Sequence, residues 1–270
     1  MDFEIPRIKA AVTDARGKEL ARTDLVLGRD FDEPLALLGR TSAALQSWLG
    51  ALPYRKREIS SVGIGLPGFL RDGMLSLAGQ DLPGWRRIPF REHFERVFSA
   101  PVHLAHDVHL MALAELEHRG WQQGILLFLA LRPALHGGVR AGACLCQDGR
   151  PYLGGRGNGG ALFHATIPAE SLVGLPDDER AAAAARTVVN SLVHVVPLTD
   201  PDYIVIHASE LGSAEEPFIS ACEGLLRSAL SDEYVGPLGI TSAQVRDGDG
   251  AAEAARAAMR RLFWREGPKE

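Results

Sequence analysis

Three short apolar runs constrain the fold of this chain most strongly: "SSVGIGLPG" from Ser60, "GILLFLALR" from Gly124 and "DYIVIHAS" from Asp202. Their length and their β-branched and aliphatic residues predict buried strands. Stretches with helical spacing lie between and after them: Phe31 to Leu52, Arg91 to Phe98, a helix opening at Asp107, Asp177 to about Val196, Glu215 to Leu230, and Ala251 to Phe263. "RIKAAVTDARGKELARTDLVL" reads as two strands with a turn at Arg16-Gly17, and "GVRAGACLCQDGRPYLGG" as a strand beside "GILLFLALR". Buried strands alternating with helices predict an α/β protein. The alternation runs twice, before and after Gly120. The expected domains are therefore an N-terminal α/β lobe at 1–119 and a C-terminal α/β lobe at 120–270, with a cleft between them and the last helix able to pack back on the N-terminal lobe.

The composition narrows the partners. A formal charge of −5 over 270 residues gives no general attraction for nucleic acid or an anionic membrane, and the basic run "YRKRE" reads as solvated surface. "MDFEIPRIKAAV" has no signal-peptide core, and no apolar run reads as long enough to span a bilayer, so a cytoplasmic protein without a membrane partner is expected. Three cysteines make no disulfide framework. Cys144 and Cys146, two apart on a strand, should share a face as packed thiols.

"VHLAHDVHLMALAELEHRG", Val102 to Gly120, turns from strand to helix with His103, His106, Asp107 and His109 around the junction. Ligands in open α/β sheets sit at such carboxyl ends of strands. Here a carboxylate with imidazoles beside it suits a small polyol. Packing is the alternative, and it fits His103 and the helix-end His118 best; His136 reads as loop surface.

Several segments resemble the ROK family of repressors and sugar kinases. "GIGLPGFLRDGMLSLAGQDLPGWRRIPFREHFERVFSAPVHLAHDVHLMALAE" is similar to the family's G-x-G-x-P-G-x-V-D…L-P-G-W…E-N-D-A-N…A-E block in order and spacing. "QDGRPYLGGRGNGGALFHATI" resembles its D-G-x-x-x-x-G-A-x-G-x-A-G-E-I-G-H segment, and "DPDYIVIHASEL" its D-P-x-x-I-V-L-G-G-G strand. The resemblance implies the two-lobed actin-like, sugar-kinase fold, which is ribonuclease H-like. It places Asp107 on the family's catalytic base, His106 on a sugar-binding Asn, Asp81 on the Asn before L-P-G-W, and His164 on the G-H histidine, with Ala161 where the family has a sugar-binding Glu. Asp81, His106, Asp107, His109 and His164 are thus the expected ligand-binding residues. A second possibility is a two-histidine, one-carboxylate metal site of His106, Asp107 and His164.

The nucleotide motifs depart from the family. Its first phosphate loop, D-x-G-G-T, aligns with Asp2, Phe3, Glu4, Ile5 and Pro6, which put a carboxylate and bulk where glycine amides should close on phosphate, and a proline without an N–H. In the second, "GVRAGACLCQDGR" keeps Gly138 and Gly142 but places Arg140 and Cys144 at two glycine positions. His207, Ala208 and Ser209 replace the adenosine-side glycines. The family's zinc motif, a histidine followed by Cys-x-Cys-G-x-x-G-Cys, has no counterpart here. No cofactor is therefore expected: neither Mg-ATP nor family-type zinc.

These readings predict a domain resembling the effector part of the family's sugar-responsive regulators, binding a small sugar-like ligand without phosphorylating it. The alternative is an ATP-dependent sugar kinase with Asp107 as base. Family regulators carry a winged helix-turn-helix before the ROK domain, for which this sequence has no room. It is expected to be a fragment, a regulator without its DNA-binding part, or a recruited relative. Family habit implies a homodimer, and the apolar faces from Val188 to Val196 read equally as core or interface.

Overall fold

The computed structural model describes residues 1–4, 7–26, 33–53, 58–77, 84–134, 138–159 and 165–263. The chain forms two compact units: Met1–Met111 together with the segment that begins at Gly248, and Ala112–Asp247. The first unit is therefore discontinuous in sequence.

The first unit opens with β1 (Asp2–Glu4), β2 (Arg7–Thr13) and β3 (Glu19–Val26), an antiparallel meander. The β2–β3 turn falls at Arg16-Gly17, as its residues predict: Asp14 accepts the Arg16 and Lys18 N–H groups at 2.9 Å, and Gly17 takes a φ of 82°. Helix α1 (Pro34–Gly50) begins on a proline, whose fixed φ suits the first turn. Then come β4 (Val62–Leu66), a small sheet of β5 (Phe69–Arg71), β6 (Met74–Leu77) and β7 (Arg86–Ile88), helix α2 (Phe90–Phe98), β8 (Val102–His106) and α3 (Asp107–Arg119). The main sheet has the order β3-β2-β1-β4-β8, with β1, β4 and β8 parallel. Phe90, Phe94 and Phe98, four apart, form the buried stripe of α2; Phe3 meets Phe90 edge-on at 5.1 Å. The small sheet was not anticipated. Its β5–β6 turn is Asp72-Gly73, both at positive φ, a pairing that favours tight hairpins.

The second unit contains β9 (Ile125–Pro133), β10 (Val139–Gln147), β11 (Arg150–Pro151), β12 (Thr166–Ile167), α4 (Asp177–Thr199), β13 (Tyr203–His207), α5 (Glu215–Ala229), the short α6 (Asp232–Val235) and β14 (Gly239–Ser242). Its sheet runs β11-β10-β9-β13-β14, with β12 also paired to β10. The strand order repeats that of the first unit: an antiparallel hairpin on one side, parallel strands on the other. Leu127, Leu129, Leu131, Ile204 and Ile206 pack in one core with α4 and α5.

In α4, Val188, Val189, Leu192 and Val196 are buried, so that face is core. Contrary to the expectation from sequence, this helix is long and apolar enough by length and composition to cross a membrane. Its alanine run raises the mean hydropathy, while its valine and leucine stripe is occupied by the unit's own core. Cys144 and Cys146 do share a face, buried, with their sulfurs 3.7 Å apart.

The last helix, α7 (Asp249–Phe263), belongs to the first unit and packs on β4, β2 and β8. Gly63 makes this possible, because any Cβ there would strike the carbonyl of Ala254.

Candidate functional site

At the carboxyl end of β8 the chain turns directly into α3, with His106 as the last strand residue and Asp107 as the first helical one. Both are buried, at 7% and 5% exposure, and so is His109 at 4%. Asp107 Oδ1 accepts the Val108 N–H at 2.9 Å, holding the carboxylate at the helix N-terminus, where the peptide dipoles favour its charge. The rings of His106 and His109 meet edge-to-face at 4.8 Å across the strand-to-helix junction.

A second carboxylate approaches from β1. Asp2 pairs with Gly65 of β4, and a Cβ on Gly65 would lie 3.2 Å from Asp2 Oδ1 and 3.4 Å from the Cα of Asp107. Glycine at 65 is what lets the ends of β1 and α3 come this close. Asp2 also reaches the start of α7: its Oδ2 would stand 2.8 Å from a Cβ on Gly250. The first unit therefore brings Asp2 and Asp107 together at Gly65, while His106, paired with Leu66, lies on the other face of the sheet with its ring against His109. Asp107 with His106 and His109 at the junction can hold and orient a hydroxyl-bearing ligand, the imidazoles donating or accepting beside a carboxylate acceptor.

The remaining histidines separate. His103 points to the strand face opposite His106, and burial, with smaller effects of Arg261 and Arg91, lowers its pKa to about 4. His118 is exposed at the far end of α3. Asp81, His136, Ala161 and His164 lie outside the described residues, as do Ile5 and Pro6. Among the described residues, no group of three or more His, Cys, Asp or Glu side chains is arranged to hold a metal ion.

At the position of the first phosphate loop, Asp2 to Glu4 form a strand, with Asp2 and Glu4 each 1% exposed. Glu4 is bound to the buried Lys9 at 2.5 Å. In the second unit, a Cβ on Gly138 would lie 2.5 Å from the Ile167 carbonyl, so this glycine serves close backbone packing. Gly142 and Arg140 lie within β10, opposite Ala130 and Arg132 of β9. After β13, Ser209 Oγ sits 3.1 Å from His207 Nε2, and Glu215 accepts the Ala208 N–H at 3.0 Å. Sequence reasoning passed over two buried groups. Arg132 is 4% exposed, and Glu115, fully buried, binds Arg119 and the Gln244 and Val245 amides. No local sequence signal marks either, since one depends on strand register and the other on the packing of a distant segment.

The model of the ROK family matches residues 6–180, more than half of the chain. The chain belongs to the ROK family. ROK relatives among solved structures share its fold. A ROK family glucokinase from Streptomyces griseus, solved with glucose and AMPPNP, superposes with a TM-score of 0.73 at 16% identity, covering 96% of this chain and 98% of that one. A ROK family transcriptional regulator, a homologue of the E. coli MLC protein, gives a TM-score of 0.68 at 18% identity, covering 97% of this chain and 78% of that one. The fold is thus the mixed α/β, actin-like two-lobed fold of ROK sugar kinases. In sequence, the xylose repressor of Caldicellulosiruptor bescii is 25% identical over 146 residues, which is 53% of this chain and 34% of that protein. The chain spans about a third of the length of the curated relatives it matches. Its ROK relatives thus include both repressors and sugar kinases.

Proposed function

We propose that this ROK chain binds a small sugar-like ligand through Asp107, His106 and His109, joined by Asp81 and His164, and does not transfer phosphate to it. The ligand class follows from the ROK relatives, one a xylose repressor and one a glucokinase solved with glucose, and from the buried carboxylate and paired imidazoles at the β8–α3 junction.

The buried Glu4–Lys9 ion pair carries the non-kinase part of the reading. A phosphate loop needs backbone amides that close on oxygen, and here the corresponding strand buries a carboxylate committed to lysine. Moving that charge aside would leave an unpaired buried ion, at a cost of about 3 kcal/mol or more. The residues present at this strand do not fit a Mg-nucleotide. In this reading the chain acts as the effector domain of a sugar-responsive regulator does.

The test titrates a panel of neutral mono- and disaccharides by calorimetry, beside a coupled assay for sugar phosphorylation with Mg-ATP. Saturable sugar binding without turnover, weakened at least tenfold in Asp107→Asn, is expected. Turnover that disappears in Asp107→Asn would instead establish a kinase with Asp107 as base.

A further inference from the structure

β3 stands at the edge of the first unit's main sheet. β2 pairs with one side of it, and among the described residues no strand pairs with the other. An open strand edge presents a row of backbone donors and acceptors to any further strand. From Ala21 to Val26, β3 keeps a regular register with β2, and the irregularity in the pairing falls beside Leu20. Two large apolar side chains lie exposed near its ends, Leu20 at 39% and Val26 at 70%. Between them Arg22 and Asp24 are exposed as well.

The segment Leu20–Val26, "LARTDLV", is complementary to its own reverse. With Thr23 as the centre, antiparallel pairing of two copies sets Arg22 opposite Asp24, Ala21 opposite Leu25 and Leu20 opposite Val26, each contact being made twice. Opposed residues share a face, and opposite charges, apolar pairs and paired threonines are favourable there. Neighbouring registers fail. A twofold axis at Arg22 sets arginine against arginine and Leu20 against Asp24; one at Asp24 sets aspartate against aspartate and Arg22 against Val26. An axis between two residues would join side chains of opposite faces. Both charges have partners within the chain: Arg22 meets Glu19 at 2.6 Å and Asp249 at 3.1 Å, and Asp24 meets Arg7 at 3.3 Å. A guanidinium has several donors and a carboxylate several acceptor sites, so each can take a further partner.

We infer that the open edge of β3 is a contact surface for a second copy of this chain, with Thr23 on the twofold axis and an Arg22–Asp24 pair on either side of it. The axis runs perpendicular to the sheet, so each face continues across the join and the two five-stranded sheets become one. Such a contact is isologous and closes at two copies. Pairing of a single strand lies at the low end of interface sizes, so the dimer dissociates in the micromolar range. It shares no residue with the ligand site proposed at the β8–α3 junction, and either can fail without the other.

Sedimentation equilibrium of the full chain over a hundredfold range of concentration tests this, beside Asp24→Arg, Arg22→Asp and an equimolar mixture of the two variants. The parent is expected to show a monomer–dimer equilibrium. Asp24→Arg sets arginine against arginine and Arg22→Asp sets aspartate against aspartate, so Kd should rise at least tenfold in each alone. In the mixture every opposed charge pair is again arginine with aspartate, and a one-to-one heterodimer should form with a Kd near the parent's. Arg22 also holds Asp249. If Arg22→Asp fails to melt cooperatively, Val26→Asp replaces it, since that side chain is exposed; it should weaken the dimer at least tenfold by setting a charge against Leu20. A parent that stays monomeric overturns the proposal. So does a dimer unchanged in Asp24→Arg, which assigns the contact to another surface, and so does a mixture that associates no better than its components.

Discussion

Glu115 Oε2 accepts the backbone N–H of Val245 at 2.8 Å, tying the second half of α3 to the segment that follows β14. The same carboxylate accepts the Gln244 N–H and the Arg119 guanidinium, at 2.8 Å and 2.5 Å, and has no exposed surface. Buried charge of this kind persists only when its oxygens are all engaged.

Glu115→Ala strands two amides and one guanidinium, and should destabilise the chain by about 3 kcal/mol. Glu115→Gln retains one acceptor oxygen and should cost less. Urea unfolding of the three proteins checks this order, and equal midpoints for Glu115→Ala and the parent would refute it.

Two glycines should respond in opposite directions to alanine. A methyl at Gly63 meets the Ala254 backbone and must push α7 off β4, a loss of about 2 kcal/mol or more. Gly39, exposed within α1, has nothing within 4 Å of a new Cβ, so Gly39→Ala should gain up to about 1 kcal/mol in helix propensity. Thermal melts of the two variants should move to opposite sides of the parent.

His103 makes stability acid-sensitive. Its pKa is about 4 in the folded chain against an ordinary 6.5, with burial the main cause. Between those values an unfolded chain protonates the ring and the folded chain does not. The contribution is complete above pH 6.5, is lost as the pH falls toward 4, and levels off below. The loss is on the order of 2 kcal/mol. Comparing urea midpoints at pH 7.5 and 4.5, His103→Gln should show a smaller drop than the parent; an identical drop in both would remove His103 as the cause.

The thiols should be inert while the chain is folded. Burial pushes the Cys222 thiol up to about 12, and burial with the neighbouring Cys146 raises Cys144 well above its ordinary value. Reaction with a disulfide reagent at pH 8 should release less than one equivalent of thiolate from the native chain and three after unfolding in guanidinium. Rapid native reaction of two thiols would contradict the packed state of β10.

Much of the site was legible because its residues are contiguous. The turn from "VHLAH" into "DVHLMA" sets strand periodicity against helix periodicity, and that change fixes His106, Asp107 and His109 at one junction. The β5–β6 hairpin was legible in Asp72-Gly73 but was passed over, since each strand has only three or four residues and little hydrophobic pattern. Asp2 beside Gly65 could not be read from spacing, because it depends on how β1 pairs with β4 across 63 positions of chain.

By itself, the sequence determined the element types, the order of strands and helices, and the family resemblance, all carried by local propensity, periodicity and short motifs. Only the tertiary structure decided which charges face one another. Glu4 found Lys9, Glu115 found the Val245 amide, and Arg132 met Arg140. The reason is physical: periodicity assigns a side chain to a face, but its electrostatic partner is set by strand register and by the packing of distant segments, and burial then multiplies the energy of whatever pairing results.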